Sequence, residues 1–312
     1  MMFSITYLDR WGDAVDLRQL NAFITIARTL NFTRAADLLD YAQSTVTTQI
    51  RMLEDELGIK LFERLGRNIT LSDAGQRLLP YASQILKLSQ EAKNAVSDPA
   101  KPSGALVIGT AESLCITRLP ALLKKYRMRC PDVEIILRFG RSQDFQEGLK
   151  ENSLDVAFFI NRKVPMEDFI IAAEFPEPVI LLVSPDHPLA ESIDVNPEDL
   201  ADQTLILTEM GCPYRAAFEN IMYRHKVRPH SIMESASVQA IKQLAVSGLG
   251  VALLPKAAVE EDLDLNRLKA LNWRGSTVEV VAQLIYHKDK WLSPPLSAFL
   301  SLFHEHFAKQ AS

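Results

Sequence analysis

The 312-residue sequence is short of positive charge: 34 Lys and Arg stand against 39 Asp and Glu, a formal net charge of -5. A chain that coats nucleic acid through overall charge is therefore excluded, while a local DNA-binding face is not, because recognition follows where charge sits. Long apolar runs are missing as well. The densest, Pro178–Val183, has the length of a strand, so nothing spans a membrane as a helix of ~18 or more apolar residues, and no membrane partner is expected. The opening MMFSITYLDRWGDAV has neither the basic segment nor the apolar stretch of a secretory signal. Cysteine is scarce: Cys115, Cys130 and Cys212 form no paired metal motif and no disulfide framework, which points to a reducing, cytoplasmic setting. A Gly-rich phosphate loop, an HExxH motif and a nucleophile elbow are all lacking, and Gly248-Leu249-Gly250 is better read as a tight turn before a strand. His304 and His306 lie two apart on a C-terminal helix and point in different directions, unlike metal ligands. No catalytic residue, metal or cofactor is expected, and an enzyme on a two-lobed α/β fold is the weaker alternative.

What is present is a globular composition, 47% hydrophobic and 23% charged, of a length that suits about two domains at ~150 residues each. Residues 1–15 carry no periodicity and read either as a disordered leader or as an upstream extension of a chain starting at Val15. From Asp16, which can cap a helix with Gln19 three residues on, Leu17, Leu20, Phe23, Ile24 and Ala27 form one apolar stripe. Thr33 can cap a second short helix, Arg34–Asp40. After the connector Tyr41–Gln43, a third helix runs from about Ser44 to Leu57 and stops at Gly58. That order is a helix-turn-helix.

On the third helix Val46, Ile50, Leu53 and Leu57 repeat at 4-3-4 spacing and face the core. The opposite face shows Ser44, Thr45, Thr48 and Arg51, with Thr47 at its edge. Short hydroxyls and a guanidinium suit base edges and phosphates, although such a face can also be merely solvated. Ile59–Phe62 and Asn68–Leu71 can pair as strands around Arg64 and Arg67, a basic-tipped wing beside the helix. Residues 16–72 then form a winged helix-turn-helix, with Thr33 and Arg34 of the second helix counted among its DNA contacts. Seven basic and seven acidic residues balance within it, which implies modest affinity per copy and hence more than one copy.

The segment 73–97 supplies a means of pairing. Ala74, Leu78, Tyr81, Ile85, Leu88, Ala92 and Ala95 follow a heptad seam of about three heptads, with Pro80 inside it. Leu78, Tyr81, Ile85 and Leu88 are its candidate dimer contacts. Residues 98–103, within SDPAKPSG, read as a hinge. Beyond them strands and helices alternate: strand Ala105–Gly109, helix Ile116–Arg129, strand Val133–Phe139, helix Gln143–Glu151, strand Leu154–Ile160. The pattern recurs as strand Thr204–Thr208, helix Tyr214–Lys226, strand Ile232–Glu234, helix Val238–Ser247 and strand Gly250–Pro255. Residues 104–312 are thus expected to be a two-lobed α/β domain, lobe I from 104–176 and 276–312, lobe II from 177–275. Its ligands should sit outside the carboxyl ends of the strands.

The stretch DLRQLNAFITIARTLNFTRAADLLDYAQSTVTTQIRMLEDELGIKLFERLGRNITLSDAGQRLLPYA, together with GLGVALLP, resembles LysR-type transcriptional regulators over nearly the whole chain from Asp16. GCPYR and HKDKWLSP resemble a subgroup common in Gram-positive bacteria. The resemblance implies a winged helix-turn-helix, a coiled-coil linker helix and an effector domain like type 2 periplasmic binding proteins. It implies dimers or tetramers that bend double-stranded promoter DNA on the nucleoid, work with RNA polymerase and respond to a small molecule of unknown identity. The family's DNA contacts map onto Gln43, Ser44, Thr47 and Thr48 and onto Arg64 and Arg67. Two departures, Ser44 where proline is frequent and Thr48 where a basic residue is frequent, imply different operator bases.

Its effector contacts map onto Ser113 and Ser142 in lobe I and onto Thr208, Cys212, Tyr214, Arg215, Ser235 and Ser237 in lobe II. The hydroxyls among them can equally be plain helix caps. Arg215 facing helix N-termini would favour a carboxylate or similar oxyanion. A thiol or oxidant sensor using Cys212 is the alternative, since peroxide-sensing members place a reactive cysteine nearby and Arg215 could lower its pKa. The second cysteine expected a few residues onward is missing.

Overall fold

The computed structural model describes residues 15–65, 68–95, 101–162 and 167–307. Most of the first fifteen positions, the wing residue Arg67 and much of the expected hinge lie outside them. Apart from Glu151–Ser153, two compact units divide the chain at Ser97/Asp98.

In the first unit, α1 (Leu17–Thr29) opens on a reciprocal cap: the Asp16 carboxylate accepts the Arg18 N–H at 2.8 Å, and Gln19 Oε1 accepts the Asp16 N–H at 3.2 Å. The cap of α2 (Phe32–Leu38) is Asn31, whose carboxamide oxygen accepts the Arg34 N–H at 3.0 Å, and not Thr33. The helix starts early enough to turn Phe32 inward, 5.9 Å from the Phe62 ring and buried. α3 (Gln43–Leu57) ends at Gly58, whose φ of +67° is the left-handed conformation that glycine adopts without a Cβ penalty. Val46, Ile50 and Leu53 are buried as their spacing requires, but Leu57 in the last turn stays 39% exposed. Glu54 is buried in that region instead, where its carboxylate accepts the Leu61 N–H at 2.9 Å and pairs with Lys60 at 2.6 Å.

The chain then forms the antiparallel pair β1 (Phe62–Leu65) and β2 (Asn68–Leu71), in register from Phe62↔Leu71 to Leu65↔Asn68. The long α4 (Asp73–Ala95) follows, with Pro80 inside it. Leu20, Phe23, Ile26, Ala35, Val46, Ile50, Leu53 and Leu61 make the core of this unit.

The second unit is α/β. Its first sheet runs β4-β3-β5-β12-β6, made of β3 (Gly104–Thr110), β4 (Val133–Phe139), β5 (Val156–Asn161), β6 (Phe169–Pro176) and β12 (Val281–His287). The second runs β11-β7-β10-β8-β9, made of β7 (Val179–Val183), β8 (Thr204–Leu207), β9 (Ser231–Glu234), β10 (Val251–Pro255) and β11 (Lys269–Ala270). In each sheet three strands are parallel, as the βαβαβ pattern predicts, but both sheets are mixed. β12 lies antiparallel to β5 and β6, and β7 antiparallel to β10, because these strands carry the chain between the lobes and arrive from the far end.

Helices α6 (Leu119–Arg129), α7 (Ser142–Lys150), α8 (Pro213–Arg224), α9 (Val238–Val246), α10 (Glu260–Asp264) and α11 (Pro294–Phe307) accompany the sheets. The expected helix Ile116–Arg129 is two: a short α5 (Glu112–Thr117), then α6 with Pro120 in its first turn. Proline has no N–H to continue the ladder from α5, so the axis breaks there. Every residue of β10 is buried, as in a strand covered on both faces.

The first turn of α4 presses on the chain entering β1: a Cβ on Gly75 would lie 2.2 Å from the Leu61 carbonyl oxygen and 2.9 Å from Leu71 Cδ2. Gly75→Ala is expected to destabilise the first unit by about 1–3 kcal/mol, read as a lowered midpoint in thermal or urea unfolding.

Candidate DNA-reading helix and effector cleft

In the first unit α3 leaves its exposed face open. Gln43, Ser44, Thr45, Thr47, Thr48 and Arg51 are all exposed. The hydroxyls are aimed by the helix itself: Thr47 Oγ1 donates to the Gln43 carbonyl and Thr48 Oγ1 to the Ser44 carbonyl, each at 2.9 Å. Thr33 on α2 donates to Gln43 Oε1 at 3.2 Å, tying the second helix to the start of the third. Arg34 is exposed beside it. Ala42 precedes α3 and offers no side-chain cap, so the N-terminal amides and the positive end of the dipole are left for an outside anion such as a phosphate. Arg51 pairs with Asp55 at 3.6 Å, both well exposed, a weak contact that a phosphate can replace. Arg64 lies on β1 opposite Ile69.

In the second unit a cavity of about 320 Å³ opens between the lobes, within the range of small-molecule sites. Lobe I contributes Ser113 from the first turn of α5, Ser142 from the start of α7, and Arg141; Phe139, Phe145 and Phe159 make an aromatic wall. Lobe II contributes Thr208, Cys212 and Tyr214 from the turn between β8 and α8. Ser113 is buried, and Ser142 Oγ reaches the Ile160 carbonyl at 3.4 Å. Thr208 is buried beside the Cys212 thiol and the Tyr214 hydroxyl.

Three of the sequence-derived cleft residues stand apart. Arg215 does not line the cavity. Its guanidinium is buried, donating to Glu234 at 2.6 Å, to Glu219 at 2.8 Å and to the Thr208 carbonyl. It braces the turn from behind, and the expectation that it faces a ligand fails because neighbouring carboxylates reach it first. Ser237 caps α9 through the Ala240 N–H at 3.2 Å and donates its own proton to Glu112 at 3.1 Å. Ser235 Oγ accepts the Ser237 N–H at 3.1 Å; neither serine lines the cavity.

The arginine that does line it is Arg141, held to Asp144 at 3.4 Å and near the Gly211 turn, where an added Cβ would touch Arg141 Cδ at 3.8 Å. The Arg141 N–H and guanidinium hold the Asp144 carboxyl below its ordinary range. Glu112 also lines the cavity. Neither residue is among the cleft positions expected from the sequence, since a first-turn acid and a loop arginine carry no local signature of a cleft.

Two family models match the chain: the LysR substrate binding domain over residues 99–308 and the bacterial regulatory helix-turn-helix protein, lysR family, over residues 17–76. An uncharacterized HTH-type transcriptional regulator, YwqM of Bacillus subtilis (strain 168), is 40% identical over 94% of this chain and 100% of its own. The chain belongs to the LysR family of transcriptional regulators. It is a ligand-responsive DNA-binding regulator of the LysR type.

Two solved LysR-type folds superpose along nearly their full length. Full-length OxyR C199D from Pseudomonas aeruginosa gives a TM-score of 0.68 at 21% identity over 93% of this chain and 94% of its own. CbnR complexed with its target DNA gives 0.67 at 22% identity over 93% and 99%. These likenesses show the fold and carry no chemistry.

The oxidant-sensing alternative finds no support in the site. Burial pushes the Cys212 thiol up, outweighing the pull of the Thr208 hydroxyl and the Arg215 and Tyr214 N–H groups, so the reactive thiolate is disfavoured. Burial and the Glu112 carboxylate push Cys115 up as well. Among the described residues no group of three or more His, Cys, Asp or Glu could hold a metal.

Arg215→Met should cost about 1–3 kcal/mol of stability by leaving the Thr208 carbonyl and two carboxylates without their donor, seen as a lower unfolding midpoint. Small-molecule binding by the folded protein should be retained, which separates a bracing role from ligand contact.

Proposed function

We propose that α3 reads operator bases with Gln43, Ser44, Thr45, Thr47 and Thr48, while Arg51, Thr33, Arg34 and the wing arginines Arg64 and Arg67 hold the phosphate backbone. The observation that carries this is the exposed hydroxyl face on a helix whose N-terminus has no side-chain cap. Hydroxyls on bases and guanidinium on phosphate divide specificity from affinity in the usual way. The site is a recognition surface and not a catalytic one.

The effector we propose is a small molecule with an apolar body and an anionic head, a carboxylate or similar oxyanion. Arg141, Ser113 and Ser142 would hold the head, with Thr208, Cys212 and Tyr214 opposite and the body against the phenylalanines. Its arrival would alter promoter binding or bending. The protein is proposed to act as a homodimer or a larger oligomer, paired along α4 through the exposed Tyr81, Ile85 and Leu88. Leu78 is partly buried against its own unit and anchors that helix more than it pairs it. Promoter DNA and RNA polymerase are the macromolecular partners of this reading, and the cytoplasmic nucleoid its setting.

Selection from a random duplex library by the full chain tests the DNA reading. A recurring sequence should emerge, and a pool that stays random at low salt would overturn the proposal. With the selected duplex, Arg51→Ala should weaken binding and flatten the slope of log affinity against log salt by about one. A thermal-shift screen of small carboxylates and oxyanions against the full chain tests the cleft. A hit should lose roughly tenfold or more in affinity in Ser113→Ala; equal response by that variant would remove the cleft assignment.

A further inference from the structure

α5 is only six residues long, yet it and the residue that ends it meet lobe II and its connection at three places. At its start Glu112 reaches the beginning of α9: Oε2 accepts the Val238 N–H at 2.6 Å and Oε1 accepts the Ser237 hydroxyl at 3.1 Å. In its middle Ile116 packs on the apolar cluster of lobe II that contains Ile206, Val238 and Ile241. At its end Arg118 pairs with Glu177, in the segment passing between the lobes, at 3.1 Å. Ser113, one residue from Glu112, is a buried residue lining the cleft. The element that carries the proposed effector contact is therefore also one through which lobe I grips lobe II.

We infer that Glu112 is the positioning residue of this cleft: its carboxylate latches lobe I to the amino end of α9 and sets where the Ser113 wall stands relative to lobe II. The inference rests on reading the cavity as the effector site and adds a group that does not itself need to touch the effector. The chemistry favours a strong latch. A carboxylate on a backbone N–H makes a short, charge-assisted bond, and the positive end of the α9 dipole adds to it. Both contacts join residues 125 and 126 positions apart, so they hold tertiary geometry and not the local helix. An acid in the first turn of α5 could also serve only its own helix dipole. That local role would leave α9 untouched when Glu112 is removed, and the two roles separate on this point.

Hydrogen exchange on the full chain, without DNA or any small molecule, tests the latch independently of the effector. In Glu112→Ala the Val238 amide should exchange roughly tenfold faster or more than in the unaltered protein. Glu112→Gln should fall between the two, because its amide oxygen still accepts one N–H without the charge. The core strand β10 should exchange at the unaltered rate in both. Adding Ser237→Ala to Glu112→Ala should accelerate Val238 by less than the product of the single effects, since both substitutions remove the Ser237–Glu112 bond. Unchanged exchange at Val238 in Glu112→Ala overturns the inference. So does equal acceleration at Val238 and throughout β10, which would mark general destabilisation. Should Glu112→Ala fail to fold, Glu112→Gln alone decides by the same comparison of Val238 with β10.

Discussion

The cleft exists because the effector unit is joined twice at one place. The Glu177 N–H donates to the Val280 carbonyl at 3.2 Å, so the outgoing and returning connections between lobes are bonded to each other. The Glu177 side chain is buried there, and its partner is Arg118, whose guanidinium also lies over the Phe175 ring. Burial pushes the Glu177 carboxyl up against the pull of Arg118. A buried ion pair of this kind adds little net stability, yet removing one member leaves a charge without compensation. It therefore holds geometry more than it holds the fold. From this doubled crossover the two sheets diverge, and the space between the carboxyl ends of their parallel strands becomes the cavity.

Around that cavity, what a charged side chain does depends on what reaches it first. Arg215 and Arg141 are both arginines next to a strand-to-helix turn. Arg215 has Glu219 one helical turn along and Glu234 on the neighbouring strand, so it is bound up behind the wall. Arg141 pairs with Asp144 and keeps an exposed side chain on the cavity. Ser237 and Ser113 differ in the same way: Ser237 is engaged by Glu112 and by its own helix, whereas Ser113 lines the cavity. In the DNA-binding unit the corresponding economy is that α3 takes its cap from no side chain and Thr33 of α2 secures Gln43. The exposed hydroxyl face of α3 is thereby held by contacts made behind or beside it.

Much of this was legible beforehand, and the reasons are local. Asp16 with Gln19, Gly58 at the end of α3 and the 4-3-4 spacing of the apolar residues on that helix all act within a few residues of themselves. Chain chemistry alone decides such features. The alternation of short apolar strands with helices is also local, and it announced two βαβαβ lobes. Where the structure departs from these local signals, a distant group intervenes. Phe32 turns inward against Phe62 and moves the cap from Thr33 to Asn31. The buried Glu54 answers the Leu61 amide near the end of α3, while Leu57 in the last turn remains exposed.

The amino-acid order by itself determined the family, the two units, the exposed hydroxyl face of α3 and the placing of serines after the lobe I strands, because each depends on periodicity or on neighbours in the chain. Only the tertiary structure decided that Arg141 and not Arg215 lines the cleft, that the sheets are mixed, and that Glu112 meets Val238. Those outcomes turn on which hydrogen-bond and charge partners come within about 3 Å once strands from opposite ends of the chain are side by side. Nothing in the local spacing of residues encodes that encounter.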